Sequence, residues 1–405
     1  MPGALRARQE CAREARGEAL NGDSGIGNRA SQVARPLVAQ RIAIVRLSAL
    51  GDVVNTLPAL TALRRARPEA HIAWVCETAS AGVLEGHPLL SELIVVPRKG
   101  WGASLKGLRG VPRVVGEVRR FARELRARGF DAAIDLQGNL RSGVITWLTR
   151  APLRIGPARG KELGHIFLNH RVKLPAGPLH RVERALAILA ALGIETADAR
   201  PIVPVTDADR ARVDAFLAAS GLAACVAPAS HGHASAAGTA AAGGEFAVIH
   251  AGTSPFGRYK QWPPERWAEV ARGLGAELGL RVVLTRGPSQ AEAESAEAMA
   301  RAAGPSAIVA PLLSLRELGE LFRRCRVFLS VDTGPMHLAS AVGAPVVALF
   351  GPKDPRVYAP YFGPRAVVEK PLECRPCRRR SCSDPRCMLA ITPAEVLAAA
   401  QGLLQ

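Results

Sequence analysis

The stretch IAIVRLSALGDVVNTLPAL, residues 42–60, reads as a buried strand that runs through a tight turn into a helix. Ile42 to Val45 form an unbroken apolar run, as a strand covered on both faces requires. Leu57, Leu60 and Leu63 then recur at helical spacing. Strand–turn–helix joints of this kind offer free backbone N–H groups to phosphates. Yet this turn holds a single glycine, Gly51, followed at once by Asp52. A carboxylate at that point repels an anion, so Asp52 calls for a different role.

The same alternation continues along the chain. HIAWVCE (71–77), ELIVVPR (92–98) and DAAIDLQG (131–138) read as strands, and VGEVRRFARELRARGF (115–130) as a long basic amphipathic helix. A second series follows, with strands FAVIHAGTS (246–254), RVVLTRG (281–287), AIVAPLL (307–313), RVFLSVDTG (326–334) and PVVALFG (345–351) separated by helical segments. Between the two series lies a proline-bearing connector with an Ala/Gly/Ser tract, residues 223–245, that has no packing face. The expected organisation is a disordered extension over 1–40, a first domain over 41–200, a connector over 201–245, a second domain over 246–390 and a closing helix over 391–405. The expected fold is α/β: two facing, doubly wound Rossmann-like domains with a cleft between the carboxyl ends of their sheets, where ligands bind in open α/β folds.

The 405 residues carry 53 Lys and Arg against 35 Asp and Glu, a formal charge of +18. Much of that excess lies between Arg41 and Arg200, with 25 basic and 13 acidic residues. Such a surface suits a phosphorylated substrate, anionic lipid or nucleic acid. The few interleaved aromatics argue against nucleic acid. No apolar run is long enough to span a bilayer and the N-terminus lacks a secretory core, so the chain is expected to stay inside the cell. Four cysteines cluster as Cys374, Cys377, Cys382 and Cys387, a spacing tighter than the usual paired zinc pattern. A zinc knot and a compact thiol loop both remain open.

Three loops carry the remaining chemistry. In SVDTGPMHLASAVGAP (330–345) a strand ends at Asp332, turns through Thr333 and Gly334 and enters a helix that places His337 near its start. Free N–H groups and the positive end of the helix favour an anion there, and Gly334 allows close approach. Asp332 itself is expected to hold the turn by accepting backbone N–H bonds. HAGTSPFGRYKQWP (250–263) sets Thr253, Ser254, Arg258 and Lys260 beyond another strand, a set suited to a pyrophosphate. TRGPSQAEAES (285–295) brings Glu292 and Glu294, which suit sugar or ribose hydroxyls. Together these loops point to a nucleotide sugar. No loop has the dinucleotide fingerprint or the Walker lysine motif.

RLSALGDVVNTLPAL, DLQGNLRSG, HAGTSPFGRYKQWP and SVDTGPMHLASAVGAPVVALFGP, taken in this order, resemble the ADP-heptose:lipopolysaccharide heptosyltransferases of glycosyltransferase family 9. The resemblance implies the GT-B fold and an inverting, metal-independent transfer of heptose from the substrate ADP-heptose to the Kdo–lipid A inner core. By motif it makes Asp52 the catalytic base. It assigns the donor to Thr253, Ser254, Lys260, Glu292, Leu313, Asp332, Thr333, Gly334 and His337, with Leu313 near the adenine. Gln137, Asn139 and Arg141 are the acceptor-side candidates. The basic N-terminal half would face lipid phosphates as a peripheral protein on the inner face of the inner membrane. The alternatives are a family 9 enzyme with a heptose acceptor or another nucleotide sugar, and a non-catalytic nucleotide-sugar or nucleic-acid binder.

Overall fold

The computed structural model describes residues 37–97, 111–222, 245–377 and 381–405. Its first sheet contains β1 (Arg41–Val45), β2 (His71–Glu77), β3 (Glu92–Val96), β4 (Ala132–Asp135), β5 (Leu153–Pro157) and β6 (His170–Val172), in the order β3-β2-β1-β4-β5-β6. The second contains β7 (Phe246–His250), β8 (Arg281–Thr285), β9 (Ala307–Val309), β10 (Val327–Val331), β11 (Val346–Phe350) and β12 (Arg365–Glu369), in the order β12-β11-β10-β7-β8-β9. Every pairing is parallel. Counted from the first strand of each, both sheets run 3-2-1-4-5-6, the doubly wound order in which ligands bind where the winding reverses. That reversal lies between β1 and β4 in one sheet and between β7 and β10 in the other. The segments leaving those four strands contain Asp52, in the short helix Leu50–Val54, and Gln137, Thr253 and Asp332, so the topology gathers the sequence motifs at two matching points.

The central strands are buried on both faces, which explains why they read as continuous apolar runs. The strands that sequence patterning missed are peripheral. β5 is interrupted by Arg154 and ends in Gly-Pro, β6 has three residues of which two are exposed, and β12 is partly exposed. β9 stops at Val309, before Pro311, and is shorter than the expected 307–313. The basic helix starts earlier than expected, at Val111, with Pro112 in its first turn.

Two domain limits change. Leu37 is 3% exposed and its N–H donates to Leu192 O at 3.3 Å, while Gln40 N and Arg41 N both donate to Asp131 Oδ2. Residues 37–40 therefore belong to the first domain, although four residues are too few to show periodicity. The closing helix Pro393–Leu404 buries Val396 and Ala400 within the core of the second domain, so it is part of that domain's outer layer. In the connector, the helix Asp207–Ala219 is capped by Thr206 and packs on the helix Leu315–Arg324 through Arg212–Glu317 (3.2 Å) and Arg316–Asp209 (3.0 Å). Residues 1–36 and most of the Ala/Gly tract lie outside the described residues. Among the described residues no helix is long and apolar enough to cross a membrane.

Candidate active site between the two sheets

The turn after β1 is held from beneath. Asp135, fully buried at the end of β4, accepts from Gln137 N, Gly138 N and Ser142 Oγ, each at 2.9 Å. That fixes the DLQG turn, and Gln137 Oε1 in turn accepts from Leu47 N at 2.8 Å and Ser48 N at 3.4 Å. Burial pushes the Asp135 carboxyl up, against the pull of its three donors. Gln137 therefore positions the Asp52 turn. Asn139 caps the helix Leu140–Leu148 by accepting from Ser142 N at 3.0 Å. Their side-chain oxygens are engaged within the fold, so of these two acceptor-side candidates only the amide N–H groups face a ligand unspent. Arg141 is 46% exposed and pairs with Glu77 at 3.1 Å.

Asp52 itself sits among cations. Its Oδ1 lies 2.8 Å from Arg46 Nη2 and 3.6 Å from Arg181 Nε. Arg46 is 4% exposed and also donates through Nη1 to Leu136 O, while Arg181 donates to Tyr358 Oη at 2.7 Å. Burial alone would raise the Asp52 carboxyl, but Arg46 and then Arg181 outweigh it and hold it below the ordinary carboxylate value. Around this pair the like charges crowd. Burial first, then neighbouring guanidinium groups with Arg181 foremost, lower the Lys161 and Arg184 pKa values. Such a cluster favours a ligand that carries negative charge.

The donor-side candidates converge from the second sheet. Lys260 Nζ donates to Asp332 Oδ2 at 2.9 Å and to the Asp332 main-chain oxygen. Asp332 thus fixes its turn through the lysine; backbone N–H groups were the expected donors. Burial raises the Asp332 carboxyl, and His337 together with Lys260 more than reverses this. Lys260 keeps a third proton to offer. Gly257 stands between Thr253, Ser254 and Lys260: a Cβ there would lie 3.2 Å from Thr253 Cβ, 3.5 Å from Ser254 Oγ and 3.6 Å from Lys260 Cε. Thr253 is 9% exposed and its buried Oγ1 has no protein partner among the described residues, whereas Ser254 is exposed.

Glu292 is the third residue of the helix Gln290–Ala303, whose cap Ser289 donates to Glu292 Oε2 at 2.7 Å. Its carboxylate lies over Gly252 and Gly287, within 2.8 Å of where either Cβ would be. Glu294 instead accepts from Gln290 on the exposed face at 2.8 Å. His250, beside Gly252, is pushed down to about 4 by burial and is neutral at pH 7. Leu313 is 7% exposed and packs in the core, while adjacent Leu312 is 45% exposed. Thr333 precedes the helix Gly334–Ala341 in extended conformation, with Oγ1 3.1 Å from Ser330 Oγ.

The two halves touch. The ring of His337 packs on Gly51, and Leu50 packs on Gly334. Asn55 Nδ2 lies 3.2 Å from His337 Nδ1, and His337 Nε2 lies 3.7 Å from Asp332 Oδ1. Asp52 and the donor loops are therefore neighbours. Sequence reading missed Arg46, Asn55, Asp135, Lys161, Arg181 and Arg184. The cation six residues before Asp52 at the end of β1 was a usable signal for Arg46. Arg181 comes from a distant segment with no local cue. Among the described residues no three His, Cys, Asp or Glu side chains form a metal-ligand set, and Cys374, Cys377, Cys382 and Cys387 form no disulfide.

Residues 118–387 match glycosyltransferase family 9 (heptosyltransferase). The lipopolysaccharide heptosyltransferase 1 of Pseudomonas aeruginosa is 32% identical over 85% of this chain and 87% of its own length. The enzyme of the same name from Escherichia coli K12 is 30% identical over 82% and 94%. Among solved structures, a family 9 glycosyl transferase from Veillonella parvula superposes with a TM-score of 0.72 at 26% identity, covering 92% of this chain and 99% of its own. The E. coli heptosyltransferase WaaC with ADP gives 0.67 at 26% identity, covering 90% and 99%. With the sheet topology and the motif loops in place, the chain belongs to glycosyltransferase family 9, the heptosyltransferases, and is a glycosyltransferase of GT-B fold.

Proposed function

We propose that this chain transfers heptose from ADP-heptose to the Kdo residue of the lipid A inner core, with inversion at the anomeric carbon. Heptose transfer in lipopolysaccharide core assembly is supported by relatives named for it over 82–85% of the chain. The finer reading rests on Asp52. It is a carboxylate kept ionised by Arg46 and Arg181, beside loops suited to a sugar nucleotide. In an inverting displacement the acceptor hydroxyl attacks the face opposite the departing ADP, and Asp52 takes its proton as the new bond forms. The charge that develops on the diphosphate is met by the Thr253 hydroxyl, the remaining proton of Lys260, His337 and the amides that open the Gly334–Ala341 helix. Glu292 is suited to hydroxyl groups of the donor. This division of labour routes no step through a metal.

On the acceptor side, the mutual repulsion of Lys161, Arg181 and Arg184 suits the carboxylate and phosphates of a Kdo–lipid A acceptor. A surface farther out supports docking on the inner face of the membrane. Leu140, Trp147, Leu163 and Ile166 are exposed by 37–64% on the Leu140–Leu148 helix and the segment packed on it. Leu163 is held at φ 60°, an unfavourable backbone for leucine. Arg113, Arg119, Arg120 and Arg123 project from the neighbouring Val111–Ala127 helix. Apolar side chains flanked by arginines bind anionic bilayers.

Three measurements check this reading. Purified protein is given ADP-heptose with a lipid acceptor ending in Kdo or one already carrying heptose. Mass analysis should find one added heptose on the Kdo acceptor, and transfer only to the heptose acceptor would refute the assignment. The acid limb of kcat/KM falls as pH drops through the lowered Asp52 value. Arg181→Gln removes one lowering charge, so the limb should move to higher pH; an unmoved limb would remove Asp52 from the rate law. Finally, Leu163→Ser with Ile166→Ser should release the protein from anionic vesicles while turnover on a soluble, deacylated acceptor stays unchanged. Retained vesicle binding would discard this docking surface.

A further inference from the structure

The contact between the halves of the cleft is reciprocal. Leu50 of the first domain fills the space left by Gly334, where a Cβ would lie 2.8 Å from Leu50 Cδ2. His337 of the second domain fills the space left by Gly51, with Nε2 3.2 Å and Cγ 3.3 Å from where that Cβ would be. Each side supplies one glycine and one side chain. The His337 ring is 6% exposed and Asn55 is 5% exposed, so the 3.2 Å contact between Asn55 Nδ2 and His337 Nδ1 is made away from water.

The chemistry of that contact is specific. An amide nitrogen donates and has no lone pair to accept with, so Nδ1 of His337 must be the acceptor and carry no proton. The proton of the neutral ring then sits on Nε2. Nε2 faces the Asp332 side of the cleft, at 3.7 Å from Asp332 Oδ1, too far for a strong hydrogen bond. The donor is thus presented beside the Thr333–Gly334 turn, with only a long contact to its nearest carboxylate.

We propose that Asn55 is a positioning residue that acts across the domain boundary, locking His337 in its Nε2–H form so that the ring gives a hydrogen bond to the diphosphate of the sugar nucleotide. This rests on the donor-site reading above. The donor site is then complete only when the two domains are in contact, because the residue that orients His337 belongs to the acceptor-side domain. Gly51 serves the same end, since any side chain there would displace the ring.

The test begins with the ligand-free protein labelled with 15N-histidine, the His337 signals being assigned by their loss in His337→Ala. The expected wild-type spectrum has an unprotonated Nδ1 and a protonated Nε2. Asn55→Asp, of the same shape but an acceptor, should move the proton to Nδ1, a change that a merely structural role would not produce. A wild-type ring protonated at Nδ1 would overturn the proposal. ADP binding is then measured by calorimetry for wild type, His337→Ala and Asn55→Leu, which removes the donor without adding charge. Both variants should bind ADP about tenfold more weakly, the loss expected for one hydrogen bond to a charged group. If His337→Ala binds as tightly as wild type, the donor-site reading fails. If His337→Ala weakens binding and a folded Asn55→Leu does not, the donor-site reading stands and the positioning role of Asn55 is refuted.

Discussion

The ion pair between Arg46 and Asp52 is the constraint around which the cleft is built. Arg46 leaves the end of a strand covered on both faces, where a guanidinium group cannot be solvated. Burial lowers its pKa, and Asp52 with its 2.8 Å contact opposes that loss. Removing one member of a buried pair leaves an uncompensated charge, at a cost on the order of 3 kcal/mol when both are fully buried. The cost is smaller here because Asp52 remains 31% exposed. That partial exposure is also what makes Asp52 chemically useful: it is fixed on one side by cations and open on the other. The acid that would repel a phosphate at the mouth of a phosphate loop is instead the counter-charge of its own strand end.

Around this pair the two domains repeat one design. Both sheets have the same strand order, and each winding reversal sends its loops into the cleft. One set holds Asp52 through the Asp135–Gln137 relay. The other holds Lys260 through Asp332. The glycines where the sets meet, Gly51 and Gly334, admit a side chain from the opposite domain. Tyr358 and His180 tie the far side, with Arg181 donating to Tyr358 Oη and His180 Nε2 3.0 Å from Ala359 O. Arg181 thereby links the charge state of Asp52 to the packing between domains.

Much of the fold was legible because a doubly wound sheet writes itself as apolar runs alternating with helical periodicity. β1, β2, β7, β8, β10 and β11 are of that kind. The peripheral strands β5, β6 and β12 were not, since partial exposure breaks the apolar run that marks a strand. In the site, Thr253 and Asp332 stood out because each follows a strand end, whereas Asp52, Glu292 and His337 lie in the helices just beyond and took their expected roles from the family motifs. Their partners did not. Arg181 reaches Asp52 from another part of the chain, and Asn55 meets His337 across the domain boundary; neither relation has a local signature. The structural share of Gln137 and Asn139 had no local signature either: their oxygens satisfy backbone donors within the turn, one of them across to the loop after β1.

Everything in the cleft converges on Asp52 as the acceptor of the proton from the attacking hydroxyl. The substitution Asp52→Asn keeps the shape of the side chain and removes its charge, so it is the direct test. Heptose turnover, ADP-heptose binding and thermal unfolding are measured on the same preparation. A fall in kcat of roughly 10²–10⁴-fold, the usual worth of a general base, is expected from a folded protein that still binds the donor. Turnover within a few-fold of wild type would contradict it.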